Sequence, residues 1–282
     1  MLVTLKDVLQ DAQNNKYAVG LFNTVNLEMA KGVIAAAEET NSPVIIGTAE
    51  VLLPYAGLEE LSCLLLPMAK QAKVPVVLHF DHGLTPELII KAMKLGFSSV
   101  MYDCSTSSYG ENMIKCAEMC RIARMFGVSV EAELGHVGTA DSDAAEADGY
   151  DSIYTEPHKA REFCERTGVD ALAVAIGTAH GTYKSKPVLD INRLQEISTT
   201  TQTPLVLHGG SGLSDDDFRN CIRNGINKIN IFTDINQAAA KAASQTYQAG
   251  YGMTDIMGKI IEEVKKATIA KMQVFGSVNK GY

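Results

Sequence analysis

Eight short apolar runs recur along the chain, each followed by a stretch with helical periodicity. They fall at residues 18–24, 44–49, 74–82, 98–103, 129–135, 171–177, 204–210 and 228–234. Their starts are mostly 24 to 33 residues apart, about one strand–helix unit each, with one longer gap. Parallel strands need crossovers of this length, usually helical. Eight units in one chain predict an α/β fold, a (β/α)8 TIM barrel, with a doubly wound open sheet as the alternative. A chain of 282 residues suits one such barrel, and no Pro-, Ser- or Gly-rich linker divides it, so residues 1–282 are expected to form a single domain.

The helical stretches carry their own punctuation. Residues 26–40 open on Asn26 as an N-cap. Residues 86–95 have Thr85 at the N-cap, Pro86 at N1 and Gly96 past the end. Residues 214–224 start with Ser214 and three aspartates and are followed by Gly225. The last helix is expected over 258–275. The N-terminus reads as an amphipathic helix with Leu2, Leu5, Val8, Leu9 and Ala12 on one side, and lacks signal-peptide character. Residues 138–157, small and acidic without a clear period, predict a long loop on the face where a barrel holds its active site.

Net charge of −8 argues against nucleic acid and membrane as partners, though not against a phosphorylated substrate held by a few local donors. No apolar run reaches the roughly 18 residues of a membrane span, which points to a cytoplasmic protein. The six cysteines form no CxxC pair and read as reduced, mostly buried side chains.

The chemistry gathers where the runs end. VPVVLHFDHG ends in Asp81, His82 and Gly83; ALAVAIGTAHG carries His180; PLVLHGGSG carries His208. Strand ends of a barrel converge on one face, so these three histidines are expected to meet there. For one such histidine a hydrogen-bonded structural role is the simpler reading. Three at equivalent places, with an open fourth position, suit a catalytic zinc site. Strict alternation would send Asp81 and His82 to opposite faces, so the chain is expected to leave the strand at Gly83. Asp81 could orient a histidine or act as acid or base. Asp103 and Glu133, at the ends of the fourth and fifth runs, suit either a second metal or the support of the histidines. His79 reads as a core residue, His158 as structural, and His136 is set aside. Gly209-Gly210-Ser211-Gly212 and Asn230-Ile231-Phe232-Thr233 follow the last two runs, where barrels often bind phosphate. Lys228 opens the eighth run and is expected at the far face, which disfavours a Schiff base.

In order and spacing, FDHG, VEAELGHVG, AIGTAHGTYK, LVLHGGSGL and KINIFTD resemble the class II, zinc-dependent ketose-bisphosphate aldolases over nearly the whole chain. The resemblance implies reversible aldol cleavage of a phosphorylated ketose, of the fructose 1,6-bisphosphate or tagatose 1,6-bisphosphate type. The products would be dihydroxyacetone phosphate and an aldehyde. It implies Zn2+ on His82, His180 and His208, with Asp81 as acid/base. It implies a second divalent metal near Asp103 and Glu133, and a monovalent cation (Na+ or K+) near the glycines after strands six and seven. It further implies contacts to the triose phosphate from Gly181, Gly209, Gly210, Ser211, Asn230 and Thr233, within the segment that also holds Ile231 and Phe232. Relatives of this type are carbohydrate-metabolism lyases that assemble as homodimers or homotetramers.

The chain departs from the family in three places. Where many members carry a loop glutamate, the nearest acid here is Asp141. Phe232 replaces the smaller residue that separates fructose- from tagatose-type members. The strand-four pair is Asp103-Cys104. Rival readings are an aldolase of the same family acting on a different phosphorylated sugar, another metal-dependent barrel chemistry, such as hydrolysis or deamination, and a non-catalytic barrel subunit.

Overall fold

Strand and helix alternate along the whole chain. The computed structural model describes residues 1–138, 154–181 and 187–281. The elements run β1 (Leu2–Val3), α1 (Leu5–Asn15), β2 (Val19–Asn23), α2 (Leu27–Glu39), β3 (Val44–Ala49), a 3-10 turn (Glu50–Leu52), α3 (Leu58–Gln71) and β4 (Val76–Gly83). They continue with α4 (Pro86–Lys94), β5 (Ser99–Tyr102), α5 (Tyr109–Phe126), β6 (Ser129–Leu134), α6 (Pro157–Thr167) and β7 (Ala171–Val174). The last are α7 (Ile191–Thr200), β8 (Leu205–Leu207), α8 (Asp215–Arg223), β9 (Ile226–Ile231), α9 (Thr233–Thr246) and α10 (Met253–Phe275).

Strands β2 to β9 pair in parallel with their sequence neighbours, and β9 returns to β2, closing an eight-stranded (β/α)8 barrel. The open-sheet alternative is thereby excluded. β1 is a short addition beside β4. Leu2, expected on the first helix, lies in that strand. The rest of the amphipathic stretch does form α1, opened by a Thr4–Asp7 capping box. Leu5, Val8, Leu9 and Ala12 bury against Val19, Leu21, Ile45, Val77 and Val206, closing the N-terminal mouth of the barrel. Burying each of the larger side chains stabilises by about 1.5–3 kcal/mol.

Outside the barrel, the opposite strand faces carry Phe22, Leu78, Phe80, Val100 and Ile229 into the layer beneath the helices. Phe80 meets Phe97 edge-on, with ring centroids 6.2 Å apart. Helix α10 packs on α2 and α9 and begins at Met253, earlier than expected. Asn26 and Ser214 cap α2 and α8 as expected. Thr85 occupies the N-cap position of α4, but its side chain makes no capping bond. All six cysteines are unpaired, and five are buried. Among the described residues no helix is long and apolar enough to cross a membrane.

One expectation fails through a strand boundary. β9 opens at Ile226, so Lys228 stands inside the strand and its side chain is fully buried in the barrel. It is therefore near the chemistry rather than at the far face.

Candidate active site

The end of β4 solves the alternation problem by a bulge. β4 pairs with β5 as far as Phe80 opposite Val100 and resumes with Gly83 opposite Tyr102. Asp81 and His82 thus stand against the single β5 residue between those partners, Met101, and both reach the same face. The residue that absorbs the irregularity is His82 itself, at φ 44°, and not Gly83 as expected. A non-glycine side chain in that conformation is uncommon, and it occurs here at the candidate site.

His208 follows β8 directly, and His180 lies in the segment after β7, where its backbone N–H donates to Gly138 O (2.8 Å). The rings converge: centroids are 4.9 Å apart for His82–His180, 4.5 Å for His82–His208 and 5.8 Å for His180–His208. Ligand atoms of all three lie within 4.8 Å of one another. Two carboxylates fix the tautomers. His82 Nδ1 donates to Asp103 Oδ2 (2.7 Å), and His208 Nε2 donates to Glu131 Oε1 (2.9 Å). An ionised carboxylate only accepts, so in the neutral form that can bind a metal each ring turns a lone pair the other way. His82 Nε2 is buried and makes no hydrogen bond, while His208 Nδ1 is buried with only Glu133 Oε2 near it, 3.1 Å away and outside hydrogen-bonding geometry. Such nitrogens on convergent imidazoles, each backed by a carboxylate, are what a divalent cation requires.

The electrostatics agree. Burial opposes charge on His208, but Glu131 and Glu133 outweigh it and hold the imidazole at about 10. Burial, reinforced by His82 and His208, pushes His180 down to about 3. Burial opposes ionisation of Asp103, but the hydrogen bond from His82 wins and holds it below the usual carboxylate range.

Beneath the histidines is a buried polar layer. Asp81 Oδ2 accepts from Asn23 Nδ2 (2.8 Å), and both its oxygens accept from Asn230 Nδ2 (3.1 and 3.2 Å). Lys228 Nζ donates to Asn230 Oδ1 (2.6 Å) and lies 2.9 Å from Glu131 Oε2. His79 Nε2 is 3.6 Å from Asp81 and 3.8 Å from Glu131. Burial alone would raise Asp81, but His82 first, then His79 and Lys228, keep its carboxyl well below the ordinary range. Glu131 is likewise held at about 2, against burial, chiefly by Lys228.

The remaining expected residues divide cleanly. Gly181, Gly209, Gly210 and Ser211 line the same cleft as Asp81, His82 and His180, as do Asn230, Ile231, Phe232 and Thr233. Gly209 has φ 64°, and a Cβ there would lie 2.4 Å from Ala179 O. Thr233 opens α9, whose N-cap, Phe232, has no side-chain capping bond. Glu133 Oε2 lies 3.1 Å from His208 Nδ1, while its Oε1 accepts from Val137 N (2.9 Å). Ligand atoms of His82, Asp103 and Glu133 also lie within 4.8 Å of one another. Asp103 thus shares His82 between the two roles suggested for it. His79 is buried, but it faces Asp81 rather than serving only the core. Asp141 and most of the 138–157 stretch lie outside the described residues.

Asn23 and Glu131 went unnoticed in the sequence, and Lys228 was expected at the far face; for Glu131 and Lys228 a signal was there to read. Their signal is parity: Ser129, Glu131 and Glu133 alternate along β6, as do Lys228 and Asn230 along β9, putting polar side chains on the inner face of buried strands.

The family model for class-II fructose-bisphosphate aldolase matches residues 3–280. The chain is 40% identical to the probable fructose-bisphosphate aldolase of Bacillus subtilis, with 99% of each covered. It is 37% identical to the fructose-bisphosphate aldolase of Thermus caldophilus, over 99% of this chain and 100% of that protein. The crystal structure of the YdjI aldolase from Escherichia coli K12 superposes with a TM-score of 0.90 at 38% identity, covering 100% of both chains. A barrel with three convergent histidines and an adjacent aspartate agrees with that match along its length, and the chain belongs to the class II fructose-bisphosphate aldolase family of lyases.

Proposed function

We propose that this protein catalyses the reversible cleavage of a phosphorylated ketose to dihydroxyacetone phosphate and an aldehyde, with Zn2+ on His82, His180 and His208. The observation that carries the reading is the convergence of His82, His180 and His208, with His82 Nε2 buried and unpartnered, beside an ionised Asp81. Bound there, the cation supplies Lewis acidity toward the ketose oxygens. A small ion held by nitrogen ligands, with a position left for substrate, favours zinc.

The chain's own residues do the rest. Asp81, charged and fixed by Asn23 and Asn230, takes the proton of the C4 hydroxyl as the C3–C4 bond breaks. It returns that proton to the aldehyde oxygen in condensation. Glycines after β7 and β8, with Ser211 and the uncapped start of α9, hold the triose phosphate. Asp141 is the candidate for proton transfer at C3. Asp103 and Glu133 support the histidines and, together with His82, form the candidate second metal site. The glycines after β7 and β8 are the candidate site of a monovalent cation. By family resemblance, the chain acts as one domain in a cytoplasmic homodimer or homotetramer.

The test is triose phosphate release from fructose 1,6-bisphosphate, tagatose 1,6-bisphosphate, fructose 1-phosphate and 6-deoxyketohexose 1-phosphates, with and without chelator. Chelator-sensitive release from at least one is expected. Release from none by zinc-loaded protein contradicts the reading.

A further inference from the structure

The cleft has two sides of opposite chemistry. Toward β8 and β9 it offers Gly209, Gly210, Ser211, Asn230 and Thr233. Toward β3 its wall is Ala49, Val51 and Leu52. Among the described residues that line it there is no lysine or arginine. Val51 is 74% exposed, an aliphatic side chain at the cleft with little packed over it.

The charge beside this wall has the wrong sign for a phosphate. Glu50 Oε2 accepts the backbone N–H groups of Leu84 (2.7 Å) and Thr85 (3.4 Å) at the start of α4. Thr85 makes no side-chain cap, and the Glu50 carboxylate engages the two backbone N–H groups just ahead of the helix. These bonds also tie the turn to the β4–α4 connection and fix the wall beside the bulge at His82. A phosphate against Val51 and Leu52 would lose hydration to aliphatic carbon and sit near a carboxylate.

We infer that the aldehyde half of the substrate carries no phosphate and ends in an aliphatic group, so that the ketose cleaved is a 1-monophosphate. The inference rests on the proposed aldolase reading and deepens it. In condensation, C3 of dihydroxyacetone phosphate loses a proton and bonds to the aldehyde carbon, whose oxygen gains a proton. Nothing else is consumed, so acceptors can be compared directly.

The experiment uses zinc-loaded protein and dihydroxyacetone phosphate with lactaldehyde, glyceraldehyde and glyceraldehyde 3-phosphate in parallel. Solvent-deuterium exchange at C3 of dihydroxyacetone phosphate alone is the control. Lactaldehyde is expected to exceed glyceraldehyde 3-phosphate in kcat/KM by about tenfold or more. Val51→Arg, at an exposed position, is expected to shift that ratio toward the phosphorylated acceptor. Preference for glyceraldehyde 3-phosphate overturns the inference, and preference for glyceraldehyde overturns its aliphatic part. An unmoved ratio in Val51→Arg also overturns it, because the wall would not touch the acceptor. Exchange without condensation overturns the inference alone, whereas absence of both overturns the aldolase reading with it.

Discussion

Lys228 Nζ lies 2.6 Å from Asn230 Oδ1 and so decides which way that amide faces. With its oxygen engaged, Asn230 presents Nδ2 to both oxygens of Asp81. The same ammonium holds Glu131, which in turn orients His208. One buried lysine thus braces the acid/base candidate and a metal-ligand candidate together.

Lys228→Met is expected to lower kcat by about 10²-fold, because small misplacements of reacting groups cost that much. It also leaves Glu131 buried without its cation, at a cost of about 3–5 kcal/mol. Denaturant unfolding and kcat of Lys228→Met and of Lys228→Met/Glu131→Gln check this. The double variant is expected to recover stability but not turnover.

Asp103→Asn and Glu131→Gln should each weaken zinc binding by about 10–100-fold, since each removes the carboxylate that sets a ligand's tautomer. A competitive chelator titration measures this, and unchanged affinity would remove their orienting role.

Zinc binding should release a proton. His208, held at about 10 by its two glutamates, is charged at neutral pH in the metal-free protein and must lose that proton to become a ligand. Apparent affinity should therefore rise by about tenfold per pH unit from pH 7 to 9. The sign for stability is opposite. A folded value raised above the ordinary 6.5 means that His208 stabilises the metal-free fold fully below about pH 6.5. That contribution is lost as pH rises through about 10. Calorimetry in buffers of different ionisation enthalpy, and unfolding of metal-free protein against pH, test both signs.

Gly47→Ala is expected to destabilise the barrel by about 3 kcal/mol and to impair the site. The new Cβ would sit 1.9 Å from the backbone oxygen of His79, its partner across β3 and β4. Thermal unfolding and metal content report the two effects.

The barrel was legible because buried parallel strands are written as apolar runs, and β3 ends where its run does. The three histidines were legible because each stands at or just past the end of an apolar stretch. What lay hidden depends on strand boundaries and on pairs. Lys228 was misplaced because β9 begins two residues earlier than its run, which moves a strand-opening residue into the interior. Glu131 and Asn23 look ordinary in sequence, and their importance comes from partners 77 and 58 residues away. The His82 bulge has no local signature, because the register shift is set by the neighbouring strand.

The most direct test measures zinc content and kcat on the same sample of Asp81→Asn. Asp81 is hydrogen-bonded by Asn23 and Asn230 rather than placed among the three candidate ligands, so zinc should remain stoichiometric. Turnover should fall by about 10²–10⁴-fold, as for loss of a positioned acid/base group. Near-normal turnover with zinc in place would contradict the role given to Asp81, and loss of zinc from Asp81→Asn would contradict the ligand set.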